Sequence, residues 1–472
     1  MNSTLTGEQK RILTLPLKNP IQIKGVAGSG KTTVAIFRAK HIAASADDFF
    51  RDTHVCIFSY TKSLVKYVES ILGTDPRETA NISVTHFHKW AYAFLKERGF
   101  WSDHRIASRR SIDSILNNNL AHLRSRHKNC TILTKSLEFY KEEINWLKGL
   151  QVIKEETYLG TARAGRGISD RVTVQDKKLL WSLYYSYCQD LKQRNEVDYD
   201  DFALVALAYI EQEREFVPPF SHIVIDEAQD LTAAQLITLT KLVNSETKSL
   251  TIIADAAQRI YKSGFTWSGV GINVRGGRTI ELKHNYRNTR QIAEAAISLL
   301  SHDPQQADFT QHVLPEHQGQ KPKVLYLENS QQISFLNKVL QGVDLLSQSV
   351  VILHRSNRGV LLLTKDLKAA GFTVVNITDK DVHRIDPVGL FTCTMSSVKG
   401  LEFDHVIICD VNDNLIPYPP GFIDANDELH ISTERRLLYT CMTRARYTLF
   451  LVSTNRPSRY LAEINPSTIE NA

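Results

Sequence analysis

GVAGSGKT, from Gly25 to Thr32, has the G-x-x-x-x-G-K-[ST] spacing of a phosphate-binding loop. Gly25, Gly28 and Gly30 let backbone N–H groups curl around phosphate oxygens with no Cβ in the way, and Ser29 lies among them. The helical run TTVAIFRAKHIAA that follows, starting with Thr32 and Thr33, points its positive end at the same oxygens. Lys31 would reach the β- and γ-phosphates, and the Thr32 hydroxyl would ligate Mg²⁺. HIVIDEAQD (222–230) supplies the complementary half, an apolar strand ending in carboxylates at a sheet's C-terminal edge. Asp226 is suited to hold Mg²⁺ through water, and Glu227 to take a proton from the water attacking a γ-phosphate. The two halves together predict hydrolysis of a nucleoside triphosphate.

Such a loop needs a buried strand before it and a helix after it, and the chain repeats that arrangement. Short β-branched runs alternate with amphipathic stretches, the pattern of parallel sheets covered by helices, an α/β fold. One set of runs is 20–25, 54–60, 82–88, 222–226 and 249–255; a second is 323–328, 349–355, 372–377, 390–395, 405–411 and 449–454. Between about 96 and 200 the strand signal lapses into helical sequence, which reads as an insertion. VDYDDF (197–202) marks the return, and the polar stretches 302–322 and 412–430 read as loops.

A length of 472 residues exceeds one ordinary core. Nowhere do about 18 consecutive apolar residues occur, and the start MNSTLTGEQKRIL lacks the apolar stretch of a signal peptide. A cytoplasmic protein with no membrane partner is therefore expected. The six cysteines are scattered without a C-x-x-C pair, which excludes a disulfide framework and a cysteine-ligated metal site. A net charge of +6 is compatible with a nucleic-acid partner. Within 101–130, Arg105, Arg109, Arg110, Arg124, Arg126 and Lys128 outnumber the acids, and TARAGRG (161–167) adds two arginines. These suit either a solvated face or phosphate contact.

Further motifs, in order from Gln9 to Arg446, resemble those of the UvrD/Rep/PcrA group of superfamily 1 helicases. LTGEQKRIL resembles the Q motif, which implies that Gln9 reads adenine with its amide. IFSYTKSLV (57–65) and VTHFHKWA (84–91) resemble motifs that line the nucleic-acid groove, implicating Tyr60, Thr61, Phe87, His88 and Trp90. IIADAAQRIYKSGFTW (252–267) implies Gln258 as a γ-phosphate sensor and Trp267 as a base-stacking platform. KHNYRNTRQI (283–292) resembles motif IV, with Tyr286 on adenine and Arg287 at the γ-phosphate. TMSSVKGLEF (394–403) resembles motif V, placing Gly400 and Glu402 on the nucleotide side, and ERRLLYTCMTRAR (434–446) resembles motif VI, with Arg444 as an arginine finger. Arg446 reads as a surface or strand-edge charge.

The resemblance implies two RecA-like P-loop motor domains. The first comprises 1–95 and 200–275, a helical insertion occupies 96–199, and the second comprises 276–472. It also implies ATP with Mg²⁺ as cofactors, single-stranded and tailed duplex DNA as partners, and 3′ to 5′ travel. The chain departs from the group's pattern at Ser268 and Ser396. Only TDKDVHRIDPVG (378–389) stands where the relatives carry the 2B subdomain, too short for a hydrophobic core, so no 2B subdomain is expected. That compactness leaves two alternatives to a helicase: an ATP-driven switch that gates a partner nuclease or effector, as in phage defence, or an enzyme acting on RNA.

Overall fold

The computed structural model describes residues 5–46, 53–73, 79–161, 172–258, 266–379, 382, 385–413, 415–418 and 428–471. Arg163 and Arg166 of TARAGRG lie outside these residues, as do 259–265 and 419–427.

Both sets of apolar runs form parallel sheets. The first contains β1 (Ile21–Gly25), β2 (Val55–Phe58), β3 (Ile82–Thr85), β6 (His222–Ile225), β7 (Ser249–Ala254) and β8 (Thr279–Leu282), while the small pair β4 (Arg105–Ile106) and β5 (Glu196–Val197) lies apart. The first sheet runs β3-β2-β6-β7-β1-β8. The second runs β11-β12-β10-β13-β14-β9-β15, from β9 (Lys323–Tyr326), β10 (Ser349–His354), β11 (Val374–Asn376), β12 (Gly389–Thr394), β13 (Phe403–Ile408), β14 (Ala445–Ser453) and β15 (Glu470–Asn471). Every residue of β2, β6, β7 and β10 is buried, which is why these strands are continuous apolar runs rather than alternating ones. The architecture is that of two RecA-like domains with a helical insertion in the first.

β8 was not expected. Two of its four residues TIEL, Thr279 and Glu281, are exposed, because it is an edge strand paired only to β1, and so it lacks the buried strands' apolar signal. It extends the first sheet past the boundary expected at 275/276 and carries the chain beside the P-loop before the crossing to the second sheet.

Apolar side chains cover both faces of each sheet. Phe58, Ile225 and Ile252 belong to one core of the first sheet, and Ile23, Val34 and Ile57 to the other. The insertion has a core of its own around Leu116, Tyr140, Leu147 and Leu183. β4 and β5 pair in parallel where the chain leaves and returns. Several insertion arginines are engaged locally: Arg105 pairs with Glu196 at 3.0 Å, and Arg124 Nε donates to the Leu133 carbonyl at 2.7 Å. No helix among the described residues is long and apolar enough to cross a membrane.

Arg38, on the helix Lys31–Ala46 behind the P-loop, is fully buried. Its guanidinium donates to the carbonyls of Ile12, Leu15 and Pro16 at 3.1, 3.0 and 2.5 Å, tying down the chain just after Gln9. Burial lowers its pKa to about 10, so it remains charged. Arg38→Met is expected to cost about 3 kcal/mol in urea unfolding, because it orphans buried carbonyls.

Candidate functional site

Parallel strands deliver their C-terminal ends to one edge, and the order β6-β7-β1-β8 therefore brings Asp226, Asp255, the P-loop and the segment after Leu282 together. Gly28 and Gly30 hold φ of 77° and 78°. A Cβ on Gly28 would stand 1.9 Å from Asn285 Oδ1, and one on Gly30 would stand 2.4 Å from Gln9 Nε2. No other residue type fits this cradle. Lys31 Nζ donates to the Gly25 and Val26 carbonyls at 3.1 and 3.0 Å and to Asp255 Oδ2 at 3.0 Å. Thr32 Oγ1 donates to Asp226 Oδ2 at 2.8 Å, which places the two expected Mg²⁺ ligands side by side.

Glu227 follows Asp226 with φ 57°, a left-handed turn that redirects its carboxylate. Burial pushes Asp226 up, and the neighbouring Glu227 adds to that shift. Burial would raise Glu227 as well, but Lys399, Lys31, Arg444 and a hydrogen bond from Gln229 outweigh it and hold Glu227 below the usual carboxylate range. The adjacent acids are thus driven in opposite directions, with Glu227 kept ionised.

The second domain closes over this edge. Arg444 is 2% exposed; its Nε donates to the Thr440 carbonyl at 2.9 Å, and its Nη2 donates to Gln258 Oε1 at 2.7 Å across the cleft. Gln258 Nε2 in turn donates to Asp255 Oδ2 at 2.7 Å, completing a relay from motif VI to the P-loop lysine. Lys399 crosses as well, donating to Asp230 and, at 2.7 Å, to the Gln258 carbonyl, with Glu227 3.6 Å away. Arg287 donates to Glu402 and to the Thr443 carbonyl at 3.2 Å. Burial alone would raise Glu402; Arg287 and Arg446 reverse that and hold it at about 2.

Tyr286 reaches the loop because its N–H donates to the Gly28 carbonyl at 2.9 Å. Its ring stacks on His284 at 5.9 Å and is 48% exposed, leaving a face for a base.

Other expected residues have protein partners in this structure. Gln9 does not present a free amide: Nε2 donates to the Ser29 carbonyl at 2.9 Å and Oε1 accepts from Thr6 N–H at 3.0 Å, so it braces the P-loop. Gly400 faces the first domain's helix Lys62–Leu72, where a Cβ would meet Leu64 Cδ1 at 2.6 Å. Arg446 is a partly exposed, paired charge on an inner strand rather than a free one at a sheet edge. It lies on β14, between β13 and β9, and pairs with Glu402 at 3.2 Å and Asp404 at 3.6 Å.

Of the residues expected to meet nucleic acid, Tyr60, Trp90 and Trp267 are partly buried against one core of the first sheet. Trp90 also stacks on Phe94 at 5.0 Å. Thr61 spends its hydroxyl capping the helix Lys62–Leu72, accepting from Leu64 N–H at 3.1 Å. His88 has Tyr199 and Phe202 edge-on at 5.5 and 5.9 Å, and burial lowers its pKa. Phe87, expected to stack on bases, is 3% exposed and belongs to the core, since it starts a helix on its inward face.

Sequence reasoning missed Asp255, Gln229, Asp230, Lys399 and Asn285. Lys399 stands in the quoted KGLEF run and Asp255 directly precedes AAQ, yet nothing in either stretch states that they meet. Only the folded order of strands does.

A family model described as UvrD/REP helicase N-terminal domain matches residues 5–265, and one described as UvrD-like helicase C-terminal domain matches 378–456. The chain belongs to the UvrD/REP helicase family. This UvrD-type chain is similar to the ATP-dependent DNA helicase srs2 of Schizosaccharomyces pombe, 25% identical over 63% of the chain and 34% of srs2. DNA helicase IV of Escherichia coli is 26% identical over 60% of the chain and 41% of that protein. A probable DNA helicase of Mycoplasma pneumoniae is 24% identical over 99% of the chain and 88% of that protein. The chain thus spans well under half the length of srs2 and helicase IV.

Phe87→Leu is expected to lower stability by about 1 kcal/mol in urea unfolding, as a core substitution does, and to leave single-strand affinity unchanged in fluorescence anisotropy.

Proposed function

We propose that this UvrD-type chain is an ATP-driven DNA helicase and translocase whose hydrolysis is stimulated by single-stranded DNA and whose travel runs 3′ to 5′. The observation that carries the reading is the contact from Arg444 to Gln258 across the cleft, because it makes the phosphate site depend on both domains. The matches to DNA helicases named as ATP-dependent support ATP and DNA as the ligands.

The residues fit the nucleotide. The Gly28 and Gly30 cradle would take the phosphates, Lys31 would exchange its carbonyl and Asp255 partners for phosphate oxygens, and Tyr286 would stack on the base. Thr32 and Asp226, already 2.8 Å apart, would hold Mg²⁺, which supplies charge neutralisation on the β- and γ-oxygens. Glu227, kept ionised, accepts the proton of the attacking water. Arg444 and Arg287 bring positive charge to the transferring oxygens from the second domain, so closure and hydrolysis become one event. Each cycle of closing and opening then shifts one domain's grip on the strand relative to the other's.

For the strand we propose the edge where β2 and β3 end, with Tyr60, Trp90 and Trp267 as sequence-independent stacking faces. We place the division into motor domain 1A, insertion, and motor domain 2A at the crossing after β8, with no 2B subdomain between β11 and β12. The working compartment of such a protein is the cytoplasm, with its DNA.

Steady-state ATP hydrolysis with and without single-stranded DNA tests the reading; absence of stimulation counts against it. Arg444→Ala is expected to lower turnover by about 10³-fold or more while strand affinity holds. Arg446→Ala, which frees only part of Glu402, is expected to stay within about tenfold of wild type, the worth of one charged hydrogen bond. Trp267→Ala should weaken single-strand binding by about 1–3 kcal/mol, read by anisotropy at fixed salt.

A further inference from the structure

The stretch 302–322, expected as a plain loop, returns to the nucleotide edge. Val313 N–H donates to the Lys283 carbonyl at 2.9 Å, and Val313 forms a bridge with His284, just beyond the end of β8. This pins the neighbouring His312 beside the cleft. Its ring meets the ring of Tyr439 edge to face, with centroids 6.4 Å apart and planes at 82°. Tyr439 lies on the helix Glu428–Met442 that leads to Arg444, and it is fully buried.

Two neutral polar atoms here are unspent, beside Arg287 Nε. The Tyr439 hydroxyl and His312 Nε2 are both buried without a hydrogen-bond partner among the described residues. A buried hydroxyl left unpaired is costly, and natural proteins seldom retain one without a use. Their electrostatic surroundings identify the space they share. Asp255, Arg444 and Arg287 act on Tyr439, and Asp255 and Lys31 act on His312. The cations of that space have protein partners in this structure, Lys31 with Asp255, Arg287 with Glu402 and Arg444 with Gln258, although Arg287 Nε is unpartnered. Burial, with Lys31 nearby and Asp255 opposing, lowers the His312 pKa, so the imidazole is neutral at neutral pH and offers a single N–H. Burial raises the Tyr439 pKa well above its ordinary value, so the phenol keeps its proton to donate.

We propose that Tyr439 and His312 form a neutral donor pair that recognises the terminal phosphoryl group of a bound nucleoside triphosphate, separating the triphosphate from the diphosphate state. The inference rests on the ATPase reading above and deepens it. Cations attract di- and triphosphates alike, whereas two neutral donors fixed at one place serve only the group that arrives there. The pair also spans the crossing: His312 is held against the end of the first sheet, and Tyr439 stands five residues before the finger Arg444. Occupation by a γ-phosphate would therefore strengthen the hold of the helix Glu428–Met442 on the first domain, and its departure would weaken it.

The test is calorimetric titration of the full chain with Mg²⁺ and either ATPγS or ADP, on wild type, Tyr439→Phe and His312→Phe, with melting temperature alongside. Tyr439→Phe removes only the unpartnered oxygen. It is expected to weaken ATPγS by about tenfold, the worth of one hydrogen bond to a charged group, with ADP affinity unchanged and melting temperature equal or higher. His312→Phe should show the same selective loss. Variants that bind ATPγS as wild type does overturn the inference, as do variants that lose ADP in parallel or melt lower, which would mark the pair as packing. Wild type that binds neither nucleotide overturns the ATPase reading itself, and the inference with it.

Discussion

Arg444 carries its charge into a cleft that excludes water. Burial, then repulsion from Arg287, lowers its pKa to about 10, with Glu227 and Glu402 opposing the drop. A guanidinium in that position is tolerable only if its donors are satisfied and carboxylates surround it. The carboxylates are Glu227 on the first domain and Glu402 on the second, and the direct partner is Gln258 on the first. Separating the domains strips Arg444 of its cross-cleft partner, and bringing them together without counter-charge strands a cation. The charge of Arg444 therefore ties the two domains' carboxylates to one another across the cleft.

Lys399 repeats this logic from another strand end. It is 1% exposed, and its partners Asp230 and the Gln258 carbonyl both belong to the first domain. Gln258 thus receives Arg444 on its side chain and Lys399 on its backbone, while its own amide holds Asp255. Truncating such a shared residue disturbs contacts on both sides at once, so the effects of changing Gln258, Lys399 and Arg444 will not add. Trp267, the proposed stacking face, follows Gln258 by nine residues in sequence. A short covalent path accordingly connects phosphate-side hydrogen bonds to the strand side.

The P-loop and the DEAQ segment were legible because each is a local device: a few contiguous residues fix the backbone, and the backbone fixes the chemistry. The buried strands were legible for the same reason, as apolar runs. What escaped depended on contacts distant in sequence. Thr61 and Phe87 sit in stretches whose order resembles a nucleic-acid groove, but a helix cap claimed the Thr61 hydroxyl and the inward face of the next helix claimed Phe87. Arg446 looked like a surface charge because its partner Glu402, just before the neighbouring strand β13, is 44 residues away. Gln9 was read as a base-reading amide, while the fold spends both ends of it on the P-loop and on Thr6.

The insertion obeys a similar constraint at its neck. Lys148 is 1% exposed and stands 2.6 Å from Asp198 and 2.7 Å from Asp201, the acids that mark the return to the first domain; Tyr187 donates to the same Asp198 oxygen at 2.8 Å. Burial alone would discharge the lysine, but the two carboxylates raise its pKa well above the ordinary value, so the ion pair stays charged. A buried pair of this kind adds little net stability over apolar packing, yet removing one member leaves an uncompensated charge. Its effect is to fix one arrangement of the insertion on the motor domain. Tyr199, between those acids, meets His88 at 5.5 Å, and His88 lies just beyond β3 at the proposed strand-binding edge. The ionic neck therefore ties the base of the insertion to the first domain beside that edge.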